Sequence, residues 1–101
     1  MTLKNGLILK FQAFVEYIDK EAERAKIEPQ QMEKLAPLEY QRYWSFIRAA
    51  EQAYRENSLH GVDTNLIKAR KEFLAGISVV NKRMKDDAKK GIYHEAHAAA
   101  L

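Results

Sequence analysis

Residues 37–59, PLEYQRYWSFIRAAEQAYRENSL, hold half of the chain's Phe, Tyr and Trp residues: Tyr40, Tyr43, Trp44, Phe46 and Tyr54, out of five Tyr, four Phe and one Trp. Projected at about 100° per residue, Tyr40, Tyr43, Trp44, Ile47, Ala50 and Tyr54 share one face of a helix. Phe46, Ala49 and Ala53 form a narrower stripe nearly opposite. This reading makes the segment the central helix, and a helix that is apolar on two sides needs two neighbours. One is expected to be the first helix of the chain, and the other a later helix or a second copy of the protein. Tyr and Trp carry polar tips as well as apolar bodies, so they suit places where a core reaches water or an interface.

Toward the N-terminus, Leu7, Phe11, Phe14, Ile18, Ala22 and Ala25 recur at steps of three and four, with Val15 widening the stripe. That spacing predicts an amphipathic helix over residues 3–26, with Thr2 as its N-cap. Pro29 and Pro37 cannot lie inside a helix and suit a first helical turn. A short helix over 29–36 therefore redirects the chain, and Pro37 opens the central helix. Gly61 is expected to end that helix with Val62 behind it, leaving Asp63 to cap the next one. From 64 to about 90, Leu66, Ala69, Phe73, Ile77, Val80, Met84 and Ala88 line one face of a helix roughly 40 Å long. Such a helix exceeds the width of a compact domain of about 100 residues, so it is expected to overhang, to bend near Gly76 or to pack on another subunit. Gly91 should stop it.

These segments define an all-α fold: a small bundle of three main helices, a short connecting helix and a short C-terminal helix or tail over 91–101, with residues 1–90 as one domain. The expected core is Phe11, Phe14, Ile18, Tyr40, Trp44, Ile47, Tyr54, Phe73, Ile77 and Val80. A Glu51–Arg70 ion pair is expected beside it, because Arg70 points close to the apolar face of its helix and a buried guanidinium needs a carboxylate or a path to the rim.

The 101 residues contain no cysteine, which removes disulfides, thiolate metal sites and a cysteine nucleophile and fits a cytoplasmic protein. The N-terminal segment reads as a helix of the mature protein and not as a signal peptide, and no run is apolar enough to span a membrane. The 17 Lys and Arg outnumber the 14 Asp and Glu, and the excess lies after residue 65. Lys71, Lys82, Lys85 and Lys89 make a basic stripe on the last long helix, with Lys68 at its border. A nucleic acid would be drawn to it, with Thr64, Asn65 and Lys68 standing where a recognition helix would begin.

His94, Glu95 and His97 fall one residue short of the H-E-x-x-H zinc motif, and tail histidines without a metal are the expectation. Neither a glycine-rich phosphate loop nor a nucleophile elbow is present, so no catalytic residue, metal or cofactor is assigned. The expected function is non-catalytic protein binding by a homodimer through Arg42, Phe46, Ala49 and Ala53. A small helical chain without a catalytic signature also fits a phage or mobile-element accessory protein that regulates a larger machine. Nucleic-acid binding by the lysine stripe is the alternative.

Overall fold

The structure is a computed structural model and describes residues 3–92. Four helices account for nearly all of them: α1 (Leu3–Ala25), α2 (Pro29–Leu35), α3 (Pro37–Arg55) and α4 (Leu59–Lys89). Both prolines occupy first-turn positions, where a missing N–H costs no hydrogen bond. At the entry to α2 the Glu28 N–H donates to Gln31 Oε1 at 3.3 Å. The all-α bundle expected from the periodicity is the observed architecture. Thr2 and the segment 93–101, including His94, Glu95 and His97, lie outside the described residues.

Three helices end in the same way, through a residue in the left-handed region followed by a doubled hydrogen bond back into the last turn. Lys26 (φ 57°) precedes Ile27, whose N–H reaches the Ala22 carbonyl at 3.1 Å. Gly91 (φ 81°) precedes Ile92, which bonds to Asp87 at 2.8 Å. Asn57 (φ 57°) precedes Ser58, which bonds to Ala53 at 2.8 Å. The last of these corrects the expected boundary between the long helices. Asn tolerates the left-handed region and Ser is a strong N-cap, so the pair turns the chain before Gly61 is reached. Ser58 closes α3 and opens α4 at once, its Oγ accepting from the Gly61 N–H at 3.0 Å. Asp63 is accordingly no cap: it lies in the second turn of α4 and pairs with Lys10 of α1 at 2.9 Å.

α3 and α4 are antiparallel and in closest contact. Their approach is set by small residues at both ends. A Cβ placed on Gly61 would lie 2.7 Å from the Ala53 Cβ, and one on Gly76 would lie 3.5 Å from the Glu39 Cβ and 3.0 Å from the Met32 sulfur. Gly76 is thus a site of close helix packing within a continuous α4. The partner of the second apolar stripe of α3 is therefore the later helix of the same chain. Ala53 is buried under α4, and Lys68 Nζ sits 5.7 Å over the ring of the half-buried Phe46.

α1 runs parallel to α4, tied to it by the Lys10–Asp63 ion pair and by the Arg70 guanidinium 5.2 Å over the Tyr17 ring. This corrects the expected Glu51–Arg70 pair. Both residues are exposed, and the tyrosine face lets Arg70 keep its head in water while its stem covers α1. Leu7, Met32, Val62 and Val80 are the large side chains sealed most completely between these elements. Phe14, Ile18, Ile47, Phe73 and Val80 of the expected core are buried, and Phe11, Tyr40, Tyr54 and Ile77 pack against it half-buried. Trp44 is the exception at 40% exposed. The molecule is long and thin, 54 × 24 × 15 Å, with a radius of gyration of 15.7 Å against about 13 Å for a compact domain of this length.

Candidate protein-binding groove

α1 and α3 both rest on α4, but on different flanks of it, and they approach each other far less closely than α3 approaches α4, with long side chains bridging them. Phe11 reaches Tyr54 edge-on at 5.9 Å between ring centroids, and Phe14 stacks on Tyr43 at 6.2 Å. Ring-to-ring bridging holds two backbones farther apart than the Gly–Ala contact that joins α3 to α4. An apolar groove is left between α1 and α3. Its wider part, about 780 Å³, is lined by Ile8, Phe11, Val15 and Tyr54 with Gln12, Glu16 and Glu51 at the edges. A narrower part of about 280 Å³ continues past Val15 to Ala22, Tyr40 and Trp44, floored by Ile18, Tyr43 and Phe73. Val15 belongs to both, so the two concavities lie in line along the seam between α1 and α3 and meet at its side chain.

Ile8 (41%), Val15 (52%) and Trp44 (40%) remain exposed, although Ile18, Tyr43 and Phe73, which share the narrower part with Val15 and Trp44, are buried. The apolar arc of α1 explains this, because it runs from Tyr17 to Ile8 over about 180° of the helix. α4 covers only the Tyr17 side.

Tyr43 is the hub of the floor. Its ring lies 6.5 Å from Tyr40, 5.2 Å from Trp44 and 5.3 Å from Phe73, and so joins α3 to α4 as well as to Phe14 of α1. Burial, reinforced by Tyr40 and by the Asp19 carboxylate, raises its phenol from 10.0 to about 12. The unfolded chain then releases this proton near pH 10 and the folded chain only near pH 12. Within that window the unfolded state binds fewer protons, so stability falls as pH rises, by up to about 1.4 kcal/mol per pH unit. Tyr43→Phe keeps the ring and removes the proton. Denaturant unfolding of both proteins between about pH 9 and pH 12 should give a shallower decline for the variant, and parallel curves would contradict this origin.

The residues expected to form a self-association face differ in exposure. Arg42 is exposed, Ala49 and Phe46 are half-buried and Ala53 is buried, the last two against α4. Lys71, Lys82, Lys85 and Lys89 are all exposed, on the side of α4 turned away from α1 and α3, along about 27 Å of helix. Thr64, Asn65 and Lys68 do not begin a recognition helix, since α4 starts at Leu59 and the Asn65 amide donates to the Gly61 carbonyl at 2.8 Å. Among the described residues no three His, Cys, Asp or Glu converge as metal ligands, and no helix is long and apolar enough to cross a membrane. The sequence reading missed the groove, although Val15 at the margin of the α1 stripe and Trp44 at the margin of the α3 face were its signal.

Fold and groove together define a small all-α helical bundle with apolar concavities along the α1–α3 seam. Comparison with protein-family models, curated proteins and solved structures found no match.

Proposed function

We propose that this chain is a non-catalytic protein-binding module and that its working surface is the α1–α3 groove. The observation that supports this reading is the exposure of Ile8 and Val15 on α1 and of Trp44 on α3, along one seam between the two helices. Exposed apolar side chains scattered singly are ordinary, but a contiguous set lining a concavity lowers its free energy by taking up a complementary apolar surface. The groove is the better candidate than the Phe46–Ala53 stripe for a mechanical reason. A partner can enter the groove without disturbing a helix contact, whereas binding at Ala53 would require α4 to leave α3.

The lysine stripe supports the second reading, an electrostatic surface for nucleic acid, because its four ammonium groups sit on the face opposite the groove. One experiment separates the two. A photo-cross-linking residue is placed at Val15 and, separately, at Lys71, and adducts are collected in the protein's native cell. Protein adducts from Val15, lost when Trp44→Glu is added to a chain of unchanged helicity, are the expected result. Adducts confined to position 71, or made with nucleic acid there, would move the working surface to the outer face of α4.

A further inference from the structure

Resting on the groove reading, we propose that the occupant is a single amphipathic helix of a partner protein, about four turns long and basic along both flanks. Shape supplies the first part of the argument. α1 and α3 are antiparallel to each other and sit side by side on α4, so the open channel between them is the vacant corner of a four-helix bundle. From Ile8 to Ala22 the wall extends about 21 Å, which matches about 14 residues of helix at 1.5 Å each.

Hydrogen bonding supplies the second part. The walls present rings and aliphatic chains, with Gln12 as the uncharged polar side chain at the rim of the wider part. An extended peptide laid there would leave buried N–H and C=O groups without partners. A helix carries its own backbone hydrogen bonds and needs to offer the groove only an apolar stripe, the i, i+3/i+4, i+7 pattern of helix-in-groove recognition.

Charge selects the flanks. The acidic side chains lining the groove are Glu16 and Glu51, on opposite walls of the wider part, and Asp19 and Glu28 in the narrower part. No Lys or Arg lines either part among the described residues. Lysines or arginines beside the apolar stripe of the incoming helix would meet carboxylates on both rims, and acidic flanks would be repelled. The same carboxylates count against a second copy related by two-fold symmetry, which would set the acidic rims carrying Glu16, Asp19 and Glu51 against rims of the same charge.

The test uses the full chain and three 18-residue peptides without tryptophan. One carries leucines at helix-face spacing with lysine flanks, one the same leucines with glutamate flanks, and one is a scrambled form of the first. Trp44, the chain's one tryptophan, lies in the groove wall and reports occupancy by a blue shift in its emission. The lysine peptide is expected to bind one to one, about tenfold or more tighter than the glutamate peptide at low salt, with a gap that narrows as salt screens the rims. In the double variant Glu16→Lys, Glu51→Lys the preference should invert.

Equal binding of the two ordered peptides, binding of the scrambled peptide as tight as that of the ordered one, or an unchanged preference in the double variant would overturn the basic helix while leaving the groove in place. No response to any peptide, together with no Val15 cross-link to protein, would overturn the groove reading itself. Light scattering without peptide covers the remaining occupant: a dimer or stack that the lysine peptide cannot displace would show that a second copy fills the channel.

Discussion

Tyr43→Ala is expected to lower the stability of the fold by about 3–5 kcal/mol, the usual range for removing a buried aromatic side chain. Few single positions here touch as much. The Tyr43 ring contacts Phe14 of α1, Tyr40 and Trp44 of α3 and Phe73 of α4, so its loss opens a cavity where three helices meet. α1 has little else to hold it to α3, since the other ring bridge is Phe11–Tyr54 at the far end of the groove. Domains of this size have a total stability of about 5–15 kcal/mol, and each kcal/mol moves the midpoint by about 4–8 °C. Thermal unfolding followed by circular dichroism should therefore show a Tm lower by roughly 12–40 °C. A loss below about 1 kcal/mol would mean that the ring cluster does not organise the bundle.

The second large effect is at Gly61. An exposed glycine inside a helix costs about 1 kcal/mol relative to alanine, so filling it normally stabilises. Gly6, with nothing within 4 Å of an added Cβ, should behave in that way. Gly61 should show the opposite sign, because its new Cβ would lie 2.7 Å from the Ala53 Cβ and 2.9 Å from the Ser58 Oγ that caps α4. Gly61→Val is expected to cost about 3 kcal/mol by forcing α3 and α4 apart and by disturbing the Ser58 cap. Gly61→Ala should cost less, and adding Ala53→Gly to it should recover part of the loss, a positive coupling measurable as a double-mutant cycle. Additive effects at these two positions would show that the helices do not meet there.

Prolines 29 and 37 at first turns, the three-and-four spacing of Leu7 to Ala25 and Gly91 at the stop of the last helix were all legible in the chain, because each is a property of a few consecutive residues. The junction between α3 and α4 was misplaced for an instructive reason. Gly61 offers the more familiar end signal, but Asn57 and Ser58 come first and satisfy the orphan groups of both helices. The glycine is needed for another purpose, close passage of Ala53, and no local pattern distinguishes a glycine that ends a helix from one that admits a neighbour.

The candidate site divides along the same line. The lysines of α4 were placed on one face from the sequence alone, and the structure shows them exposed. The groove involves two helices brought together by a third, and its walls are read only when all three are in position.

By itself the sequence determined that this protein is built of α-helices, where most of them begin, and which directions around each axis are apolar. Those are consequences of a 3.6-residue period and of the backbone limits of proline, asparagine and glycine. Only the tertiary structure decided how far apart the helices stand. Gly61 and Ala53 let α3 and α4 nearly touch, whereas Phe11, Phe14, Tyr43 and Tyr54 prop α1 away from α3 at the width of their rings. Helix spacing is a joint property of side chains remote in sequence, set by their combined size at the crossing, and it left Ile8, Val15 and Trp44 lining a channel instead of closing a core.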